Sequence, residues 1–527
     1  MVSAARRALV SAAVLTIALG FPACAQSLVK TVSGPVSGVT ADGVESFKGI
    51  PFAAPPVGDL RWRAPQAAAH WKQVLKADQY GHDCMQEPFG GDAAPLGTVP
   101  SEDCLVLNIW RPAGGNDKPL PVMVWIYGGG FVNGGASAAV YDGTACAKKG
   151  VIMVSFNYRL GRFGFFGHPA LTAENKDAGL LGNYGYMDQI AALKWVQANI
   201  AAFGGDPANV TIFGESAGGG SVHMLMISPL TRGLFAKAIV QSGGGRGNLM
   251  GARRLHEDLP GLPSAETLGV ALATKNGITG TDAATLAKLR ALPAEAVVDK
   301  LNLANMATDT YGGPVVDGRI VAEDPQTAYL AGRYNKVPLM IGANSADIGF
   351  NFAPTKEAAF APFGENIEAA KAAYDPMGNF PVEVVRYFMG MDQMMIEPAR
   401  FAAATLASQG VTTYEFRYSY VADSMKAEWK TGTPHATEIP YVMDTVKAKY
   451  GDMLTAADAK IADETNSYWV NFARTGNPNG PSLPNWPQYD PKTDVLMNFA
   501  PDGTPQAIAD PWKARLDVTA ATVNDVR

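Results

Sequence analysis

The sequence has no run of lysine or arginine longer than a pair, and its formal net charge is −6. Reading a nucleic-acid backbone needs a basic face, so no nucleic-acid partner is expected. Internal repeats, low-complexity tracts and long linkers are missing too, which argues against a repeat array or a string of tethered modules. Past residue 25, no stretch long enough to span a bilayer (about 20 residues) is free of charges or turn residues, so no membrane span is expected. Cysteine is scarce, with four residues in 527. No cluster has metal-ligand spacing, and neither a metal nor an organic cofactor is expected.

What is present is bulk apolar material. Some 47% of the residues are hydrophobic, and a chain of this length can bury a deep core and still leave a deep pocket. The first 25 residues read as a targeting segment. Arg6-Arg7 form a short positive region, residues 8–21 an apolar stretch, and Ala23-Cys24-Ala25 a small-residue cleavage site. The mature chain would then begin near Gln26, be soluble after export, and reside in the periplasm or outside the cell. Two other readings of this segment stay open: lipid attachment at Cys24, against a poor lipobox, and twin-arginine export through Arg6-Arg7. Export permits disulfides. Cys84 and Cys104 flank a loop rich in Gly, Pro and Asp that benefits from closure, so these two are paired and Cys146 is left free. The alternative is three unpaired thiols.

Residues 34–50 alternate apolar and polar positions between glycines, like short antiparallel strands. Stretches 105–110, 121–127, 151–157, 210–213 and 238–241 are short, intense apolar runs that suit strands covered on both faces. Between two of them, Ile190, Leu193, Val196, Ile200 and Phe203 fall at helical spacing; Asp188 is expected as the N-cap and Gly204-Gly205 as the stop. Strands alternating with helices predict an α/β fold with a largely parallel sheet. Stretches 337–342 and 412–418 read as two further strands, with His435 beyond the last of them. Ala-rich, helix-like segments at about 250–310 and 352–409 are expected as insertions at the C-terminal edge of the sheet, where loops build a pocket. Residues 26–527 are read as one domain.

Gly214-Glu215-Ser216-Ala217-Gly218 follows the strand 210–213 and precedes a helix-compatible run, 220–227. A sharp strand-to-helix turn presents a serine hydroxyl in strained geometry, and its glycines avoid collisions with neighbouring backbone. Ser216 is therefore the candidate nucleophile. A tetrahedral intermediate needs fixed donors for its oxyanion. The amide of Ala217 is one candidate, and Gly128-Gly129-Gly130-Phe131, directly after a strand, offers the others.

In folds built this way the triad runs Ser, then Asp or Glu, then His. Of the six histidines, His70, His82 and His168 precede Ser216; His223 and His256 follow it with no good acid strand between. Only His435 has enough intervening chain, and it is the expected base. The acid should stand just past a strand end, which favours Asp347 in Ala343-Asn344-Ser345-Ala346-Asp347. Asp317 is the runner-up, read as a turn residue. Glu215 and Glu438 flank the machinery and are expected to give buried hydrogen-bond support. Met391, Met394, Met395 and Phe388 read as core packing ahead of pocket lining.

With these motifs in hand, the sequence resembles the type-B carboxylesterase family, the carboxylesterase and cholinesterase group on the α/β-hydrolase fold, and its bacterial para-nitrobenzyl-esterase-like members. The matching runs include Phe47-Lys48-Gly49-Ile50-Pro51-Phe52-Ala53, Ser101-Glu102-Asp103-Cys104-Leu105, Asn157-Tyr158-Arg159-Leu160-Gly161 and Phe203-Gly204-Gly205-Asp206-Pro207. The resemblance implies a large, mostly parallel sheet covered by helices on both faces. It implies Ser216 as nucleophile, His435 as base, and Gly129, Gly130 and Ala217 as oxyanion donors. It further implies a Cys84–Cys104 disulfide, ion pairs Arg61 with Glu102 and Arg159 with Asp188, and a supporting serine at Ser242.

Two departures stand out. The family usually has Glu at the acid position, whereas Asp347 is one methylene shorter, so its turn must come closer. The loop between Cys84 and Cys104 has no Trp, whereas cholinesterases hold quaternary ammonium on an aromatic face there, so a choline ester is not the expected substrate. The expected partners are a small ester and water. Amide hydrolysis by the same triad, or a non-catalytic binding protein on the same fold, are the alternatives. The sequence sets no oligomeric state; a monomer is the simplest form.

Overall fold

The computed structural model describes residues 26–115, 118–246 and 253–524. The targeting segment, with Arg6-Arg7 and Cys24, lies outside the described residues. The chain opens with β1 (Gln26–Lys30), β2 (Pro35–Ala41), β3 (Val44–Pro51), β4 (Leu75–Lys76), β5 (Val106–Pro112), β6 (Leu120–Ile126) and β7 (Ile152–Phe156). A two-stranded ribbon, β8 (Phe165–Phe166) with β9 (Gly182–Asn183), follows. Then come β10 (Gly205–Glu215), β11 (Lys237–Gln241), β12 (Leu339–Asn344), β13 (Thr413–Tyr418), β14 (Val495–Phe499) and β15 (Pro505–Ala509).

The main sheet runs β1-β2-β3-β5-β7-β6-β10-β11-β12-β13-β14-β15, with β4 beside β2. From β7 through β14 every pairing is parallel. The ladder turns antiparallel at β5–β7 and stays so through β3 and β2 to β1, and again at β14–β15. Strands β6, β7, β11, β12 and β13 are almost wholly buried, as two-sided cover requires. Each expected strand is present. The run at 210–213 is the buried end of a longer strand whose first half, Gly205–Asn209, is more polar. The fold is the α/β hydrolase expected from the resemblance.

Three readings need correction. The helix after β9 starts at Tyr184 with Asn183 in the N-cap position, so Asp188 is not its N-cap. Asp188 lies inside the first turns with no exposure, and its carboxylate takes Arg159 Nε and Nη2, both at 2.8 Å. The helix ends at Asn199 and tightens into a 3-10 turn, Ile200–Phe203, closed by Gly204 at φ 84°. Gly205 already belongs to β10. Second, the sheet does not end before His435, because β14 and β15 extend it. Third, the segment 352–409 is not wholly pocket-side. Its last helix, Glu397–Ser408, packs on β12 and β13 as sheet cover.

The first insertion forms helices Ala265–Lys275, Ala283–Arg290 and Ala294–Val298. Met391 and Met395 are buried with Ala343, Ile396 and Leu516, and Phe388 and Met394 pack against them, the core role expected. A long helix, Ala456–Thr475, carries Trp469 under the sheet, where its ring meets Phe416, Trp486 and Phe499. Among the described residues no helix is long and apolar enough to cross a membrane.

Candidate active site

The C-terminal ends of β6, β10, β11, β12 and β13 lie side by side, and the residues that follow them meet above the sheet. Strand β10 ends at Glu215, and the helix Ala217–Ile227 begins two residues later. Ser216 sits between them at φ 56° and ψ −125°, a backbone conformation that costs an L-residue energy and persists only where its surroundings enforce it. Its amide donates to Gln241 O (2.9 Å), and its carbonyl accepts from Gly220 N (2.8 Å). A Cβ at Gly218 would lie 2.0 Å from Ile126 O, so only glycine fits where helix and β6 touch.

Directly beyond β6, Gly129 and Gly130 turn the chain at φ 94° and 62°. A Cβ on Gly128 would reach Ser216 Cβ at 2.9 Å, which puts this turn against the serine. The amides of Gly129, Gly130 and Ala217 pair with no acceptor among the described residues. Ala217 directly follows Ser216, and Gly129 and Gly130 continue the chain from the glycine that touches it.

Asp347 lies three residues past β12 and is fully buried. Its Oδ1 stands 2.6 Å from His435 Nδ1 and accepts the Ile348 amide at 2.8 Å. Its Oδ2 accepts from Ser242 Oγ (2.6 Å) and the Asn344 amide (3.0 Å). The shorter side chain reaches the imidazole because the two loops are laced together. Ala346 N donates to Thr433 O (3.0 Å), Thr433 N to Ser345 Oγ (3.0 Å), and Ser345 N to Tyr418 O (2.9 Å).

On the other edge of the ring, His435 Nε2 is 3.2 Å from Glu215 Oε1, the residue before Ser216. That oxygen has no hydrogen-bond partner among the described residues. Burial lowers the basicity of His435, but the carboxylates of Glu215 and Asp347 outweigh it and hold the imidazolium to well above the usual 6.5. Burial pushes Glu215 well above the ordinary carboxylate range, with the imidazolium pulling back. Desolvation is opposed at Asp347 by the His435 charge and by hydrogen bonds from His435, Ser242 and Asn344, and its carboxyl stays below 3.8.

Glu438 is buried, and burial raises its pKa; it takes Gln241 Nε2 on one oxygen (2.9 Å) and Asn344 Nδ2 on the other (2.6 Å). Gln241 is in turn held by Trp469 Nε1 (3.0 Å). These two amides are site residues that the sequence reading missed. Gln241 directly precedes Ser242, but no spacing rule pairs an amide at 241 with a carboxylate at 438. Asp317 caps its own turn, accepting the amides of Arg319, Ile320 and Val321 at 2.9 Å each, far from this role. His223 is locked between Tyr329 Oη (2.6 Å) and Gly244 O (3.1 Å), and burial lowers its pKa to about 4.

Cys84 and Cys104 are disulfide-bonded and Cys146 is free and buried. Both structural ion pairs are formed: Arg61 Nε to Glu102 at 2.8 Å, and Arg159 to Asp188 as described above.

The chain matches the Carboxylesterase family profile over residues 25–375 and 383–516. It is 35% identical to the fumonisin B1 esterase of Sphingopyxis macrogoltabida over 88% of this chain and 85% of that one. Identity is 34% with the para-nitrobenzyl esterase of Bacillus subtilis (88% and 93% covered) and 36% with liver carboxylesterase 1 of Oryctolagus cuniculus (95% and 94%). Among solved structures, a PNB esterase superposes with a TM-score of 0.78 at 31% identity, covering 93% of this chain and 99% of that one. The Geobacillus stearothermophilus carboxylesterase EST55 gives 0.76 at 32%, with the same coverage. With this fold, this profile and these relatives, the chain belongs to the carboxylesterase family and is a carboxylic ester hydrolase.

Proposed function

We propose that the protein hydrolyses small carboxylic esters in two acyl-transfer steps. Ser216 attacks the ester carbonyl while His435 Nε2 takes its proton, and Asp347 holds the other ring nitrogen and balances the charge. The tetrahedral oxyanion sits on the amides of Gly129, Gly130 and Ala217. The C–O bond to the alcohol then breaks as His435 returns the proton, leaving Ser216 acylated. Water, deprotonated by His435, attacks the acyl carbon and releases the acid. The observation that carries this reading is the 2.6 Å contact from Asp347 to His435, made over a ring whose far edge faces the Glu215-Ser216 turn. Choline esters are poor candidates, because residues 85–103 hold no Trp for a cation to rest on.

A p-nitrophenyl phosphonate tests the nucleophile. One phosphonyl group per chain should appear on the peptide containing Ser216, with loss of esterase activity. An adduct elsewhere, with activity lost, would remove Ser216 from the role.

The electrostatics add a pH dependence. The base works only when deprotonated, and its pKa is raised, so the acid limb of kcat/KM should lie above 6.5, with activity climbing as pH rises through it. Glu215→Gln removes one of the two carboxylates that raise it and should move the limb down. A wild-type limb at or below 6.5, or one unmoved by the substitution, contradicts this account.

We also infer that the chain is exported with residues 1–25 removed and acts as one catalytic domain. The Cys84–Cys104 bridge fits an oxidising compartment, and the family match begins at residue 25.

A further inference from the structure

Gln86 lies in the loop closed by the Cys84–Cys104 bridge, is only 6% exposed, and makes four hydrogen bonds. Its Nε2 donates to the carbonyls of Cys84 (2.9 Å) and Gly134 (2.7 Å). Its Oε1 accepts the Gly134 amide (2.9 Å) and Asn133 Nδ2 (3.1 Å). The carboxamide thus grips both polar groups of Gly134, as a neighbouring strand would. None of these partners belongs to the triad or is an oxyanion amide.

What Gln86 grips stands directly behind the oxyanion turn. Five of the eight residues 128–135 are glycine, so this backbone has little stiffness of its own. Gly129 O accepts the amides of Val132 (3.0 Å) and Asn133 (2.9 Å). A trans peptide is planar, with its C=O and N–H pointing opposite ways, so these two bonds aim the Gly130 N–H away from residues 132 and 133. The Gly128 carbonyl shares its peptide with the Gly129 N–H and is backed by Gly134, where a Cβ would lie 2.9 Å from Gly128 O. Both donor peptides therefore lean on residues 133 and 134, the two that Gln86 holds. Asn133 spreads the hold, since its Oδ1 accepts the Leu303 amide (2.9 Å) and its Nδ2 also donates to Glu87 O (2.7 Å). Past this point the chain has its own fastening: Asn157 Oδ1 accepts the Ala136 amide (2.8 Å), and Asp83 accepts the Ser137 amide and hydroxyl.

We propose that Gln86 is a positioning residue for the hydrolysis, fixing from behind the direction of the Gly129 and Gly130 N–H groups. The proposal rests on the reading of those amides as oxyanion donors to an ester attacked by Ser216. Such donors act on the oxyanion and far less on the planar ester, so loosening them should lower kcat and leave KM nearly unchanged. A misplacement of about 1 Å costs about a hundredfold, so a turn loosened but still closed on Gly129 O should lose roughly tenfold to a hundredfold.

Gln86→Met keeps the length and bulk of the side chain and removes all four bonds. Its kcat on p-nitrophenyl acetate, counted per site titrated with the phosphonate, should fall by roughly tenfold to a hundredfold. Two inhibitors separate the oxyanion from the planar carbonyl. Ser216 Oγ adds to the carbonyl carbon of a trifluoromethyl ketone, its proton passes to His435, and the carbonyl oxygen becomes an oxyanion. The matched methyl ketone binds as the planar ketone. The inhibition constant of the first should rise by the factor that kcat/KM loses, and that of the second should stay at wild type. The acid limb of kcat/KM should not move, because Glu215 and Asp347 still flank His435. A role in folding alone would lower the unfolding temperature and the number of titrated sites while kcat per site and both constants stayed at wild type; that result, or an equal rise in both constants, overturns the proposal. Should the methionine variant not fold, Gln86→Glu has the same length and still accepts from Asn133 and Gly134. It should show the same pattern with a smaller loss, and wild-type kcat per site in it overturns the proposal. A wild-type enzyme that binds the trifluoromethyl ketone no more tightly than the methyl ketone would fault the oxyanion reading itself, and the proposal with it.

Discussion

Ser216→Ala should lower kcat on p-nitrophenyl acetate by about 10⁶-fold, the loss seen when a serine hydrolase is deprived of its nucleophile. Some rate above that in water should survive, because the amides of Gly129, Gly130 and Ala217 still polarise a bound carbonyl. Folding should be untouched. The strained φ of 56° is set by backbone contacts on both sides of residue 216, and alanine has the same Cβ to place there as serine. Thermal unfolding of the variant should therefore coincide with wild type within a degree or two. Wild-type turnover in the variant would rule out Ser216 as the nucleophile.

Asp347→Asn is expected to cost about 10⁴-fold in kcat. The carboxylate does two things at once. It fixes the proton of His435 on Nδ1, leaving Nε2 free to accept from the serine, and it stabilises the imidazolium that forms. An amide is the same size but donates through its nitrogen. Ser242 Oγ and the Asn344 and Ile348 amides already point donors at this position. Either the NH₂ faces one of those donors, or it faces His435 and forces the wrong tautomer. The charge is lost both ways. Steady-state kinetics with p-nitrophenyl acetate checks this, and near wild-type kcat would move the acid elsewhere.

Much of this site could be read along the chain because its chemistry is local. Strand, glycine turn and helix around Ser216 are consecutive, and the glycines proposed to hold the oxyanion follow β6 closely. Chain order points to His435 and a place past a strand end to Asp347, and the structure brings these two side chains to 2.6 Å. What escaped reading depends on contacts between distant segments. Asp188 has the composition of an N-cap, yet its partner is Arg159, and burying that pair outweighs the local preference. The Gln241 and Asn344 clamp on Glu438 joins three segments that no periodicity links. The hairpin β14–β15 is a different case. Its turn contains Asp502-Gly503, a good hairpin signal, but the strands beside it are short and partly polar, so no apolar run marks them in the sequence.

The lacing of the Asp347 loop to the His435 loop also bears on when the protein becomes active. Those residues are 88 positions apart, and Ser242 and Asp347 are 105 apart, so their contacts close large loops late in folding. Synthesis runs from the N-terminus, and 435 of the 527 residues must be made before the base exists at all. If the proposed roles hold, a growing chain carries Ser216 long before it carries His435. On that reading, the nascent chain has no esterase activity until its C-terminal part has been added.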